Sequence, residues 1–302
     1  MKKLVIAGGT GYLGKACVAY FSTKYDTIVV LSRKKRPTLG NVHYVQWDAE
    51  QLGPWRAHLN DCHTLINMTG RSVDCRYTET NKKVILNSRI NSTKVLGAAI
   101  GMAKNPPQVW LNSSTATIYR HSLNMEMDER SGEIGEGFSV EVAKAWETAF
   151  FSQQTPRTRK VALRTSIVLG GNGGALVPIK NLAKIGFGGR QGPGNQKFSW
   201  IHIHDFVRGL EFLIDSPNLS GPVNIVSPKP VTNAELMRKV RKAVGFPFGF
   251  PLPKLLLEIG ARIICTETEL VLKSRNVIPG LLLEHGFVFH HDTLETALKS
   301  SV

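Results

Sequence analysis

Carboxylates are in short supply in this sequence. Asp and Glu together number 23 against 38 Lys and Arg, a formal net charge of +15 over 302 residues. That balance favours anionic partners (a phosphate-bearing cofactor, an acidic substrate, nucleic acid or a membrane surface) and has no bearing on the fold. Cysteine is rarer still. The four, Cys17, Cys62, Cys75 and Cys265, form no C-x-x-C and no metal-like pairing with histidine. They argue against a disulfide framework, assign no metal, and fit a reducing, cytoplasmic setting. Long apolar runs are missing too. A membrane span needs about 18 such residues, and Lys254, Glu258, Arg262 and Glu267 break even the greasy 252–272 stretch. The N-terminal apolar run meets glycines after about five residues, short of the ~7–15 of a secretory signal core, and reads as a first strand. There is no internal repeat, low-complexity tract or long linker.

What is present is an ordinary globular composition, 42% apolar and 20% charged. The length is ample for a sizeable core, and at roughly 150 residues per domain it suggests two domains or one large one. Strand-like runs at 3–7, 27–31, 42–46, 64–68, 109–113 and 161–169 alternate with helical patterns at 12–23, 79–103 and 139–153. In 79–103, Val84, Ile85, Ile90, Val95, Leu96 and Ala99 recur at about helical spacing. The alternation predicts an α/β fold: a doubly wound parallel sheet buried on both faces, with right-handed crossovers placing helices on each side. After residue 170 the texture changes. Glycine-dense loops at 170–174 and 186–194 precede WIHIHD at 200–205, read as a short strand entering a helix with Asp205 as N-cap. A strand at 223–226, a helix at 233–244 and the proline punctuation FPFGFPLP at 246–253 follow. The tail 254–302 is expected to be mostly helical, with a short strand at 286–289.

The strongest motif is AGGTGYLG at 7–14, directly after the first strand and before a helical pattern. It satisfies G-x-G-x-x-G through Gly9, Gly11 and Gly14, and a second register through Gly8, Gly11 and Gly14. Glycines at this spacing let a tight turn bring backbone and a helix N-terminus against a pyrophosphate. Thr10, Tyr12 and Leu13 belong to the same turn. The sequence therefore predicts a dinucleotide site in a Rossmann-type sheet spanning 1–170. Residues 171–302 then form a smaller, mostly helical substrate-binding portion, some of whose elements can return to the sheet.

An NAD site places Asp or Glu after the second strand; here stand Ser32, Arg33 and Lys34, followed by Lys35 and Arg36. A hydroxyl followed by a guanidinium suits a 2′-phosphate, which Arg grips bidentately. NADP(H) is expected over NAD(H). Asp48, after the third strand, is a candidate acceptor for the adenine amino group, or else a turn residue. Asn67, Met68, Thr69 and Gly70 end the fourth strand and Ser113 the fifth, at the carboxyl ends where open α/β sheets bind ligands.

At this point the chain resembles the short-chain dehydrogenase/reductases of the extended and atypical kind, which include nucleotide-sugar epimerases and dehydratases. TGYLG at 10–14, NMTG at 67–70, SSTATIY at 113–119 and the Leu163-Arg164 pair carry the likeness. It is similar above all to the "epimerase family" branch of unknown substrate, through SRINST at 88–93, the glycine-rich loop, WIHIHD, PKPVTN at 228–233 and the late GFVF. The resemblance covers essentially the whole chain. It implies a bound NADP(H) and a pocket between the domains.

The resemblance also implies a Tyr-x-x-x-Lys pair, in which a lysine ammonium makes a phenol acidic. Here Lys144 has Val140 four residues before it, and valine carries no proton. Lys144 is left as a cofactor contact or an exposed helix lysine. Thr115 falls where related epimerases keep a catalytic hydroxyl, with Ser114 beside it; strand-end capping is the alternative for both. Tyr119 is a substitute acid or a packing residue. Glu147 faces the pocket or stands exposed on its helix. Arg89, with Arg76, is a candidate holder of an anionic substrate. Trp200 and His202 follow the glycine loop expected to rim the pocket, although a lone histidine in an apolar strand is usually a satisfied core residue.

Two functions fit these residues. The first is an NADP(H)-dependent oxidoreductase or nucleotide-sugar-epimerase-like enzyme acting on a small, anionic molecule. The second, motivated by the missing tyrosine, is a non-catalytic NADP(H)-binding sensor or regulatory protein. Basic residues are scattered outside 33–36 with no aromatic-interleaved stripe, so no nucleic-acid partner is expected. No membrane partner is expected either, and the oligomeric state is left open.

Overall fold

The computed structural model describes residues 1–171, 173–263 and 269–301. Its first part runs β1 (Lys3–Ala7), α1 (Tyr12–Phe21), β2 (Thr27–Ser32), β3 (Val42–Gln46), β4 (Thr64–Asn67), α2 (Glu79–Met102), β5 (Val109–Thr115), α3 (Phe138–Phe151) and β6 (Arg159–Thr165). Then come β7 (Ile167–Gly170), β8 (Gly173–Gly174), α4 (Leu176–Lys184), β9 (Lys197–Phe198), β10 (Trp200–His202), α5 (Ile203–Asp215), β11 (Gly221–Ile225), β12 (Val231–Thr232) and α6 (Asn233–Ala243). The chain closes through α7 (Lys254–Ile263), α8 (Glu269–Leu272), α9 (Gly280–Glu284) and α10 (Leu294–Lys299).

Seven parallel strands form the main sheet in the order β11-β6-β5-β4-β1-β2-β3. Alternation along each strand splits the core in two. Leu4, Ile6, Ile28 and Val30 point to one face, where Phe21 of α1 and Phe206 and Leu210 of α5 cover them. Val5, Ala7, Val29 and Leu31 point to the other, under Leu96 of α2 and Phe150 of α3. Each fully buried Leu, Ile or Phe contributes about 1.5–3 kcal/mol, and two covered faces explain why these strands read as unbroken apolar runs. A third cluster, around Trp200, Leu176, Leu236 and Leu298, joins α4, α6 and α10 beside the sheet. Among the described residues no helix is long and apolar enough to cross a membrane.

Three expectations need correction. The run 161–169 is two strands. The chain leaves the main sheet at Ser166, whose N–H donates to the Ile225 carbonyl, and β7 joins β10 and β8 in a small separate sheet. Residues 286–289 form no strand. The Phe287 N–H closes the end of α9 on the Leu282 carbonyl, and the ring packs against Phe212 and Phe289. Asp205 is not the N-cap of α5. His202 is, its Nδ1 accepting from the His204 N–H, while the buried Asp205 carboxylate accepts the N–H groups of His290 (3.0 Å) and His291 (2.7 Å). Cys17, Cys62 and Cys75 are free, and Cys265 lies outside the described residues.

Candidate dinucleotide site

Strand register builds the site. Ala7 lies beside Leu31 on one side and Asn67 on the other, and Asn67 lies beside Asn112. The residues that follow, Gly8, Ser32, Met68 and Ser113, therefore share one carboxyl edge. From Ala7 the chain turns through Gly8, whose φ of 78° suits glycine. A Cβ there would come within 2.8 Å of the Met68 backbone, and one on Gly14 within 2.5 Å of Gly9 Cα. The Gly11 N–H donates to the Gly8 carbonyl, closing the turn. Gly11 is the N-cap of α1, with no side-chain cap and no acidic residue in the first turn. The helix thus offers bare N–H groups and its positive dipole end to an anion. A cradle that any Cβ would fill, at an uncapped helix start, fits a dinucleotide pyrophosphate. Tyr12 turns its ring onto Gly170, Gly173 and Gly174, so its backbone, with those of Thr10 and Leu13, forms the turn.

At the end of β2, the Ser32 hydroxyl donates to the Lys34 carbonyl (3.0 Å), folding the chain so that Arg33 and Lys34 project into solvent. Among the described residues no ion pair engages Arg33. Asp48 is held in a turn: one carboxylate oxygen accepts the N–H groups of Gln51 and Glu50, both at 2.9 Å, and these bonds lower its pKa. On β4, Asn67 donates to the Asn112 side chain and accepts the Thr69 N–H, fixing the strand end. Ser113 donates to the Met68 sulfur (2.9 Å). The buried Thr69 hydroxyl has no protein partner among the described residues.

The expected catalytic centre contains a buried ion pair. Arg164 on β6 donates from Nε and a terminal nitrogen to the two oxygens of Glu147 on α3, each at 2.8 Å. Ser114 donates to the same carboxylate at 2.6 Å. The other terminal nitrogen of Arg164 donates to the Tyr119 hydroxyl, which donates to Asn224 on β11. Burial alone would lower the Arg164 pKa, but Glu147 reverses the effect and raises it. Burial raises the Tyr119 pKa. Ser114, Tyr119 and Glu147 are thus engaged in joining α3, β5, β6 and β11, and none presents a free group to a ligand. Thr115 differs. It caps a 3-10 turn by accepting the Thr117 N–H and lies 3.0 Å from the Thr117 hydroxyl, only partly buried. On α3, Val140 is buried and Lys144 exposed.

Arg89 on α2 donates to the carbonyls of Arg71 and Ile85 and lies over the Trp146 ring at 5.1 Å. Its guanidinium carbon is next to Gly70. Burial pulls its pKa down to about 10, and no carboxylate pairs with it among the described residues. Arg76 lies in the loop before α2, its carbonyl accepting from Asn81. Trp200 is a core residue and not part of a pocket rim, and His202 takes the buried-core alternative. The Trp200 indole is fully buried, its N–H on the Lys229 carbonyl. His202 is buried against His291, ring centroids 3.8 Å apart, and bonds Ser301. Both serve the packing of the C-terminal part.

Sequence reasoning missed several residues here. Tyr77, next to Arg76, sets its ring 4.9 Å from Phe138 at the start of α3. Glu129 accepts the N–H groups of Asn224 and Leu281, tying α9 to β11. Arg275 has a buried Nε without an acceptor among the described residues. The Arg-Tyr dipeptide was a readable signal; the other two sit in loops with no pattern of their own.

A fully parallel sheet with a glycine cradle at an uncapped helix start defines a Rossmann-type dinucleotide-binding fold. More particularly, the chain belongs to the NAD dependent epimerase/dehydratase family, whose profile matches residues 4–226. A domain of unknown function, DUF1731, matches residues 252–301. An epimerase family protein of Mycobacterium bovis is 34% identical over 98% of this chain and 96% of its own length. The Bacillus subtilis epimerase family protein YfhF is 30% identical over 99% and 97%. The crystal structure of the human epimerase family protein SDR39U1 with NADPH superposes with a TM-score of 0.86 at 30% identity, covering 99% of this chain and 98% of that one.

Proposed function

We propose that the protein is an NADP(H)-dependent oxidoreductase or epimerase acting on a small, anionic carbonyl or alcohol compound. The observation that carries this reading is the carboxyl edge of the sheet. The Gly8–Gly14 cradle is there to take the pyrophosphate, and Ser32, Arg33 and Lys34 stand where an NAD site would hold a carboxylate. The human relative solved with NADPH supports the same cofactor. When bound, the cofactor supplies or accepts the hydride at a carbonyl or alcohol carbon. The chain's own residues do the rest. The backbone of Gly9, Thr10, Gly11, Tyr12 and Leu13 holds the pyrophosphate. Asn67, Met68, Thr69, Gly70 and Ser113 would border the cofactor at the ends of β4 and β5, and Lys144, exposed on α3, would be a further contact. Asp48 keeps one carboxylate oxygen for the adenine side. Thr115 donates its hydroxyl to the substrate oxygen, and Arg89, a cation with no carboxylate partner among the described residues, holds the substrate's negative group together with Arg76.

A second reading, a non-catalytic NADP(H) sensor, is favoured by one observation: Val140 is buried at the position of the family's proton-carrying tyrosine. The test is a titration with NADPH and NADH, followed by nicotinamide fluorescence, for wild type and Arg33→Ala. Loss of a charge-assisted phosphate contact worth about 1.5–3 kcal/mol should remove an NADPH preference present in the wild type. Equal affinity for both cofactors, unchanged by the substitution, refutes the 2′-phosphate assignment. Tight NADPH binding with no turnover on a carbonyl panel, and no effect of Thr115→Val, leaves the sensor.

A further inference from the structure

The basic excess is unevenly used. Residues 176–199 and 236–257 contain no Asp or Glu, and both segments meet on one face of the C-terminal part. The Phe250 N–H donates to the Gly186 carbonyl and the Gly189 N–H to the Phe250 carbonyl, locking the two loops together. The rings of Phe246, Phe248 and Phe250 gather over Gly186, each within 3.8 Å of where its Cβ would be. Six large apolar side chains are exposed here: Ile185 (67%), Phe187 (42%), Phe248 (53%), Phe250 (58%), Leu255 (68%) and Leu256 (51%). Cations surround them. Arg238, Arg241 and Lys242 line a depression with Phe246 and Pro247, Lys184 precedes Ile185, and Lys254 opens α7. The acid on α7, Glu258, lies 3.7 Å from Lys254, and Glu235 on α6 is taken up by Lys239.

We propose that this face docks the protein on an anionic phospholipid bilayer. Apolar side chains projecting from ordered backbone beside five cations match the acyl–headgroup boundary, where carbon meets hydrocarbon and ammonium or guanidinium meets phosphate. The other occupants fit worse. A second copy packed symmetrically would oppose the same cations with no carboxylate to pair them. Single-stranded nucleic acid needs open aromatic faces for stacking. Here the rings meet edge to face at 67° and 72°, covering one another, and three of the six apolar groups are aliphatic. The expectation of no membrane partner rested on the missing membrane span, and adsorption to a surface requires none.

The test is co-sedimentation of the full chain with vesicles of phosphatidylcholine alone and of phosphatidylcholine mixed with phosphatidylglycerol, at low and high salt. Wild type should pellet only with the mixed vesicles, and less at high salt. Arg238→Gln with Lys242→Gln should weaken binding by about fivefold per charge removed. Phe248→Ser with Phe250→Ser should abolish it while the protein still unfolds in one cooperative thermal transition, because both rings are more than half exposed. Failure to pellet with the mixed vesicles overturns the proposal, as does equal binding to both vesicle types or undiminished binding by the phenylalanine variant. So does an oligomer that the phenylalanine variant dissolves, or retention of a single-stranded oligonucleotide in place of vesicles.

Discussion

Replacing Glu147 by glutamine keeps the side chain's shape and removes its charge. The carboxylate is buried, accepts two hydrogen bonds from Arg164 and one from Ser114, and has no water-facing alternative. The substitution leaves the Arg164 guanidinium buried without a counter-charge. Breaking a buried pair in this way costs about 3–5 kcal/mol. At about 2 °C per kcal/mol for a chain of this length, Glu147→Gln should lower the thermal midpoint by roughly 6–10 °C. The double variant Glu147→Leu with Arg164→Met removes both charges and should recover most of that loss, since well-packed apolar replacements of buried pairs are often neutral. Tyr119 and Asn224 keep their mutual hydrogen bond in the double variant, which limits the collateral damage. Differential scanning calorimetry on wild type, Glu147→Leu, Arg164→Met and their double variant closes a cycle that gives the coupling energy directly. A midpoint unchanged in Glu147→Gln, or a double variant as unstable as the sum of the singles, would refute the reasoning and return Glu147 to a role as a free base.

Three further outcomes follow from the geometry. Gly14→Ala drives a Cβ into the Gly8–Gly9 backbone. The overpacking costs about 1–3 kcal/mol of folding stability, and the displaced Gly8–Gly9 backbone should weaken NADPH in a fluorescence titration; unaltered affinity would show that the cradle is not the cofactor's. Burial, with His291 beside it, pulls the His202 pKa down from 6.5 to about 4. Its folded pKa is depressed, so the stability it contributes is full above the unfolded pKa and drains away as pH falls from about 6.5 to about 4, by about 3 kcal/mol in all. Urea unfolding of wild type and His202→Asn across that window should converge as pH drops, and parallel profiles would exclude His202 as the titrating group. The Cys17 and Cys62 thiols, pushed up to about 12 by burial, should resist alkylation at neutral pH until the protein unfolds, as mass spectrometry of the labelled peptides will read.

The main sheet was legible because its strands are covered on both faces, which writes an unbroken apolar run into the sequence; Lys3–Ala7 and Thr27–Ser32 are examples. The glycine turn was legible because backbone contact forbids any Cβ at Gly8 and Gly14. The break at Ser166 was not, since Val161–Leu163 and Ile167–Leu169 are both apolar stretches and only their partner strands differ. The roles of Ser114, Tyr119 and Glu147 were hidden for another reason. Arg164, 17 residues beyond Glu147, meets it only across a helix–sheet interface, and no local pattern announces that meeting. Asp205 looked like an N-cap from its position, yet its carboxylate serves His290 and His291, which arrive 85 and 86 residues later.

The outermost strand on the β6 side of the main sheet, β11, comes from Gly221–Ile225, after α4 and α5 have been laid down. During synthesis, the backbone of Arg159–Thr165 is therefore finished well before its neighbour exists. In that interval it is a bare parallel edge with Val161 and Leu163 uncovered, a template for another nascent chain. A product truncated between residues 166 and 220 keeps that edge for good. It should gather in inclusion bodies or on chaperones, although every glycine of the cofactor turn is already in place.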